Sequence, residues 1–164
     1  MTTFSYSQTL GDIALAWNWL ERLFHNIVLV HIREEPEVKS AILALAGNAS
    51  KADLLRFLIK RREKDAAFAD HLNFLADLFD RCREIRNIII HSNPVGAYGQ
   101  YGGAIKKLSN RGRLVTFEAE EEVLSDVAFN MIKAHDYALD LLVVLRARDS
   151  GQPTESVHEH LALI

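Results

Sequence analysis

Four polar residues near the middle of the chain have the types and spacing needed for chemistry on a phosphodiester. Arg83, Arg86, Asn87 and His91 lie close together, just before a glycine-rich stretch. A guanidinium can hold phosphate oxygens in a forked arrangement, and imidazole is the side chain best suited to moving a proton near neutral pH. This set favours cleavage of RNA by its own 2′-hydroxyl. A base accepts the 2′ proton, an acid protonates the leaving oxygen, and a cation stabilises the phosphorane.

Helical geometry predicts how these residues are arranged. At about 100° per residue, with Arg83 at 0°, Arg86 falls at about −60°, Asn87 at about 40° and His91 at about 80°. They therefore share a polar face, on which Asn87 can touch both Arg83 and His91. The residues expected on the opposite, core-facing side are Ile85, Ile88 and Ile89.

The expected roles follow from the chemistry. His91 serves as base or acid, and Arg86 stabilises the transition-state oxygens. One histidine cannot easily do both jobs on opposite sides of the phosphorus, so a two-fold dimer that brings two copies into one cleft is favoured. A plain structural reading stays open, because helix ends commonly carry Arg and His to complement the helix dipole.

The elements that position these residues are predicted from apolar periodicity. The pattern indicates an all-α fold, an antiparallel (up-down) helical bundle with a small β-hairpin or loop insert before the last long helix. A first helix is predicted to span about 8–32. A second helix is predicted to begin at Pro36 and to have Gly47 as its C-cap. A capping box at 50–53 opens a third, which breaks near 62–66. A long helix then runs to about 91, residues 92–104 form a loop, segments 104–108 and 114–117 form a hairpin, and the last helix includes 124–145.

Several side chains are expected to serve the core. The first helix has an apolar seam with a three- and four-residue step, and His31 continues it as a hydrogen-bonded core or interface residue. Trp17 and Cys82 also fall on core positions, whereas Trp19 lies off the seam. The other seam residues are Ile13, Leu20, Phe24 and Ile27 on the first helix, and Phe68, Leu72, Leu75, Phe79, Ile85 and Ile89 on the long helix.

Composition limits the class of protein. The 164 residues predict one domain over 1–148 and a flexible tail over 149–164. The net charge of −3 argues against general electrostatic binding of nucleic acid, although basic residues cluster locally. No signal peptide or membrane span is predicted, so the expected location is cytoplasmic. Seven histidines occur without a metal-binding spacing, and neither a metal nor a cofactor is expected.

The insert supplies further candidates for substrate binding. Tyr98 and Tyr101 could stack on bases beside the cleaved phosphate. Lys106 and Lys107 could bind the RNA backbone. Locally packed tyrosines and an ordinary solvated hairpin are the alternatives.

The segment Arg86-Asn87-Ile88-Ile89-Ile90-His91 resembles the Arg-x(4–6)-His motif of the HEPN superfamily, and Asn87 matches its favoured polar residue after the arginine. The layout over about 8–147 is also similar. The resemblance implies a metal-independent endoribonuclease acting as a homodimer with facing motifs. Arg86 and His91 would be catalytic, with Asn87 in support. Many such proteins are toxins of toxin–antitoxin or phage-defence systems, which implies an antitoxin protein as a possible partner.

The chain also departs from one branch of that superfamily. Members paired with nucleotidyltransferase antitoxins have a tyrosine two residues after the histidine, where this chain has Asn93. Transfer of AMP to a tyrosine at that position is therefore not supported. Since some members are catalytically silent, the alternative is a non-catalytic HEPN-like module that binds nucleotide, RNA or a protein.

Overall fold

A computed structural model describes residues 6–32, 34–91, 93–94, 104–108, 114–118 and 120–151 of the chain. It is a helical bundle, as the periodicity predicts. The helices are α1 Tyr6–His31, α2 Pro36–Leu45, α3 Asn48–Arg62, α4 Ala66–Ile90 and α5 Glu121–Asp149. The strands, which precede α5, are β1 Asn93–Pro94, β2 Ala104–Leu108 and β3 Leu114–Glu118. Residues 152–164 lie outside the described ranges, so the predicted tail stays a prediction.

The predicted seam of α1 is confirmed and forms the centre of the core. Its residues are buried, and Phe24 stacks on Phe79 of α4 with ring centroids 3.9 Å apart. Trp17 packs on the same Phe79 ring at 5.0 Å. Because three large rings meet here, α1 and α4 are joined by tightly packed apolar surface.

Contacts give the relative directions of two helix pairs. Trp19 lies beside His135, and His31 lines a cavity with Arg148 at the far ends of the same helices, so α1 and α5 run in the same direction. His71 of α4 contacts the Tyr137 hydroxyl at 2.7 Å, whereas the earlier Phe68 lies under the guanidinium of Arg148. Therefore α4 and α5 run in opposite directions.

The break between α3 and α4 occurs at 63–65, as predicted. The Asp65 carboxylate accepts a hydrogen bond from the Phe68 backbone N–H at 3.1 Å and caps α4. Glu63 accepts from the backbone N–H groups of Lys64 and Asp65 and pairs with Arg148 of α5. Side-chain carboxylates thus accept the hydrogen bonds of backbone N–H groups at the start of α4, where α3 does not continue.

The structure contradicts both features predicted for the boundary between α2 and α3. The predicted capping box is wrong, because α3 begins at Asn48 and Ser50 lies inside its first turn. Gly47 is not the C-cap of α2. Ala46 holds that position in an extended conformation, and Gly47 is the N-cap of α3 with φ −65°. Two extended residues are enough to separate the helices, so a left-handed glycine is not needed.

Cys82 is buried, and burial raises the pKa of its thiol to about 11. The thiol therefore stays protonated at neutral pH and serves as packing.

His31 is predicted to make folding stability depend on pH. Burial lowers its pKa from 6.5, although its Nδ1 donates to the Ile27 carbonyl at 2.8 Å. Below about pH 6.5 the unfolded chain binds a proton that the folded chain resists, so the free energy of unfolding falls as pH falls. We expect His31→Gln to weaken that fall, as measured by urea unfolding at about pH 7.5 and 5.5. Burial also lowers the pKa of His25, which should account for part of the fall that remains. A His31→Gln protein that keeps the full wild-type fall would contradict the assignment to His31.

Candidate functional site

Arg86 occupies a position of α4 that faces the core. The alternating steps of four and three residues that connect Phe68, Leu72, Leu75, Phe79 and Cys82 lead next to position 86. Every earlier member of this series is a buried apolar residue. A permanently charged side chain at the next position is costly unless its charge is compensated or used.

The guanidinium of Arg86 is only partly compensated. Its Nε is buried and has no hydrogen-bond partner in the part of the chain that the structure describes. Its Nη1 donates to Asn87 Oδ1 at 3.1 Å. Within the described ranges, no ion pair joins Arg86 to an Asp or Glu side chain. A positive charge thus stays available at a half-enclosed position.

Arg86 opens onto a cleft of about 380 Å³ between α1, the start of α3 and α4. We call this the Arg86 cleft. Its lining residues are Trp17, Asn18, Glu21, Gly47, Asn48, Ala49, Arg83, Arg86 and Asn87. Two arginines therefore reach one concave surface.

The start of α3 adds to the positive character of the Arg86 cleft. Gly47 caps the helix without a side-chain hydrogen bond, and no acidic residue occurs in the first turn. The first backbone N–H groups of a helix and its dipole favour an anion. Glu21, the one carboxylate among the described lining residues, is paired with Lys51 at 3.8 Å. The electrostatics of this cleft suit a phosphate.

Arg83 differs from Arg86 although both line the cleft. Its Nε lies 3.3 Å from Asp80 Oδ1, and its Nη2 lies 3.7 Å from Glu84 Oε1. Asp80 also pairs with Arg56 at 2.9 Å, so these acids balance the charge of Arg83 only in part. Because Arg86 has no such acidic neighbour among the described residues, Arg83 is the weaker candidate for holding an anion.

A second cavity of about 380 Å³ lies where α1, α3 and α5 end, and both of its arginines are bound by groups of the same chain. Arg62 donates to the His31 carbonyl at 2.6 Å, and Arg148 pairs with Glu63 at 3.0 Å. These contacts tie helices together, which distinguishes this cavity from the Arg86 cleft.

His91 lies apart from the Arg86 cleft. It is the C-cap of α4, with φ −98° and ψ 13°, and its side chain is exposed. Its backbone N–H donates to the Asn87 carbonyl at 3.2 Å, but His91 is not among the residues that line the cleft. One subunit thus brings together Arg83, Arg86 and Asn87 and leaves His91 at the end of the helix.

The prediction of which side of α4 faces the core is wrong. Ile85, expected in the core, is 41% exposed, whereas Arg86 points toward the core. Ile88 is only partly buried, and Ile89 is buried as expected. The series that begins at Phe68 defines the core-facing side of α4 better than the isoleucine run does, because it is longer and its members are buried.

The described part of the insert brings a basic segment close to the end of α4 along the backbone. β2 pairs antiparallel with β1 and with β3, and Lys106 is opposite Asn93, two residues after His91. Lys107 is opposite Val115. Tyr98 and Tyr101 lie outside the described residues, and their predicted roles stay predictions.

In the described part of the chain, no three His, Cys, Asp or Glu side chains form a group that could hold a metal ion. The helices described there include none long and apolar enough to cross a membrane. Comparison with protein-family models, curated proteins and solved structures finds no match to this chain. The resemblance to the HEPN superfamily therefore depends on the Arg86–His91 motif and the helical layout.

Sequence reasoning missed the residues that α1 and α3 contribute, chiefly Asn18, Glu21, Gly47 and Asn48. One signal was present. A charged residue interrupts a long apolar heptad-like series at position 86, and such an interruption marks a candidate site.

Proposed function

We propose that this protein is a metal-independent endoribonuclease of the HEPN type that acts as a homodimer and cleaves RNA by 2′-hydroxyl attack. The observation that carries the proposal is the Arg86 guanidinium, which has a buried, unpartnered Nε in a cleft that suits an anion. The proposal takes the bundle as antiparallel, with the strand-containing insert next to the active end of α4.

Each residue has a defined part in the reaction. The 2′-oxygen attacks phosphorus while His91 of one subunit accepts its proton, and the bond from phosphorus to the 5′-oxygen breaks as that oxygen gains a proton from the protonated imidazole of the second subunit. The products are a 2′,3′-cyclic phosphate and a 5′-hydroxyl. Arg86 stabilises the phosphorane oxygens, and Asn87 holds one end of the Arg86 guanidinium. Arg83 supports the phosphate from the same wall of the cleft.

The position of His91 is the reason for a dimer. Because His91 lies outside the Arg86 cleft of its own subunit, a site that contains both groups needs either a second subunit or a shift at the end of α4. A two-fold pair also supplies two imidazoles, one as base and one as acid. Tyr98, Tyr101, Lys106 and Lys107 would contact the flanking RNA. The biological role that fits best is a cytoplasmic toxin or phage-defence effector held in check by an antitoxin protein.

The direct test is cleavage of RNA in EDTA with analysis of the end groups. We expect wild type to yield 2′,3′-cyclic phosphate and 5′-hydroxyl ends, and His91→Ala to lower the rate by about 100-fold or more. Since His91 is exposed, this variant should stay folded by circular dichroism. His135→Ala is the matched control and should keep full activity. Cleavage that needs a divalent ion, or that survives in His91→Ala, would contradict the mechanism.

The separation of His91 from the cleft favours a second candidate function. A non-catalytic module would use the Arg86 cleft to bind a nucleotide or RNA phosphate without turnover. Wild type would then bind 5′-AMP or a short RNA saturably and leave it intact. Arg86→Met would lose binding, and His91→Ala would retain it, which separates this function from the first.

A further inference from the structure

Helix α5 has a second apolar stripe on the side that faces away from the core. Its buried face includes Leu124, Met131, Ala134, Ala138, Leu141 and Leu145. On the other side, four large apolar side chains are 38–60% exposed: Phe129, Ile132, Leu139 and Val143. With Asp136 at the remaining position, the steps alternate between three and four residues, which is the spacing of a helix-pairing seam. We call these five residues the α5 stripe.

The apolar surface continues onto α1. Trp19 is 47% exposed and lies beside His135, with ring centroids 6.1 Å apart. Leu15, one turn earlier, is 46% exposed. Because α1 and α5 run side by side in the same direction, exposed apolar side chains lie on two neighbouring helices. Exposed apolar surface of this extent is typical of a surface that another protein covers.

Charges beside the α5 stripe indicate what covers it. Asp126, Lys133 and Asp140 follow one another at seven-residue intervals along one edge and alternate in sign. When two copies of α5 pair in opposite directions, residues on this edge face the same edge of the other copy. Lys133 then faces Asp140 of the second copy, and Asp140 faces its Lys133, so one two-fold axis forms both pairs.

We propose that the α5 stripe pairs with the α5 stripe of a second copy of this chain, antiparallel, about a two-fold axis near Asp136. The two Asp136 carboxylates come close to each other at this axis, where each also contacts His135 of its own chain at 2.9 Å. The same register sets Ile132 against the Leu139–Val143 half of the other stripe. The contact extends over about 21 Å of helix. A parallel pair would place Lys133 opposite Ala128, which offers no partner, so the charges select the antiparallel arrangement.

This contact is separate from the dimer of the proposed function and does not depend on it. His91 ends α4, which runs opposite to α5, so the motif lies toward the beginning of α5. Antiparallel pairing about Asp136 puts the two motifs at opposite ends of the pair. A motif-to-motif contact would therefore use another surface, and both contacts together would build an assembly of four chains.

The first arm of the test measures mass by light scattering after size exclusion, at concentrations up to about 100 µM. We expect Ile132→Glu to halve the wild-type mass and weaken association by ~100-fold, because two apolar side chains of the seam become carboxylates beside the two Asp136 carboxylates already near the axis. Leu45→Glu, at an 88% exposed position on α2, is the matched control and should keep the wild-type mass. A monomeric wild type, or an Ile132→Glu protein of unchanged mass, overturns the proposal. A monomeric wild type would also contradict the dimer of the proposed function, whereas an unchanged mass in Ile132→Glu would leave that dimer and RNA cleavage, which is assayed separately, unaffected.

The second arm tests the register. Lys133→Asp alone and Asp140→Lys alone each place like charges opposite one another in a homodimer, so each should self-associate at least ~10-fold more weakly than wild type. Mixing the two variants restores both opposite-charge pairs and should yield the mixed pair in preference. Native mass spectrometry of the mixture, in which one variant is isotope-labelled, gives the proportions of the two homodimers and the mixed pair. A statistical mixture of homodimers and mixed pairs overturns the antiparallel register.

Discussion

Arg86→Met is expected to raise the free energy of unfolding by about 1 kcal/mol while it lowers RNA cleavage by roughly 100- to 1000-fold. The opposite signs follow from the position of Arg86. Folding brings its Nε to a buried position with no partner, and an unsatisfied buried donor costs about 1–3 kcal/mol. Methionine is unbranched, fills a similar volume and continues the apolar series of α4. Its thioether has neither a charge nor a hydrogen-bond donor with which to bind a phosphate.

Arg83→Met is the matched control for this prediction, because both arginines line the same cleft. Arg83 loses its pairs with Asp80 and Glu84, which are partly exposed, so the free energy of unfolding should change by less than about 1 kcal/mol. Its loss of activity should be clearly smaller than that of Arg86→Met. Urea unfolding and initial cleavage rates in EDTA measure both quantities. If Arg86→Met is markedly less stable than wild type, Arg86 is a structural residue and the proposed role fails.

Phe79→Ala is expected to lower the free energy of unfolding by about 3–5 kcal/mol. Phe79 is fully buried, stacks on Phe24 at 3.9 Å and packs against Trp17 at 5.0 Å. Removing the ring leaves a cavity at the joint of α1 and α4, which these flat rings cannot close by a small shift. Because Trp17 also lines the Arg86 cleft, the variant should lose cleavage activity even where it stays folded.

Phe74→Ala serves as the comparison for Phe79→Ala on the same helix. Phe74 is 54% exposed and has an edge contact with Tyr137, so its removal should cost less than about 1.5 kcal/mol. Urea unfolding followed by tryptophan fluorescence measures both variants. Similar losses at the two positions would show that the aromatic cluster around Phe79 is not the centre of stability.

The strongest periodic signals in the sequence were enough to predict the main helices. The α1 seam from Ile13 to Ile27 is buried as expected, and the break at 63–65 agrees with the predicted interval. Helix α4 ends at Ile90, one residue from the expected end. These features depend on local hydrogen bonding and on which residues avoid water, both of which leave a direct pattern in the chain.

Two predictions were wrong because the residues behind them are locally ambiguous. Ser50 to Asp53 has the residue types of a capping box, but the preceding extended residues let α3 begin at Asn48. The isoleucine run at 88–90 is apolar on nearly all sides, so it could not define which side of α4 faces inward. The longer series from Phe68 defines that side and places Ile85 outside and Arg86 inside.

The sequence by itself determined the residue types of the site, their location near the end of a long helix and the helical character of the chain. Only the tertiary structure decided that Arg86 faces a cleft completed by α1 and the start of α3, while His91 lies outside it. The physical reason is that apolar periodicity in a sequence indicates which side of a helix is buried. The shape of a cleft depends instead on which distant segments of the chain pack against that helix. Residues such as Asn18 and Gly47 approach Arg86 through packing between helices, and no spacing along the chain encodes that approach.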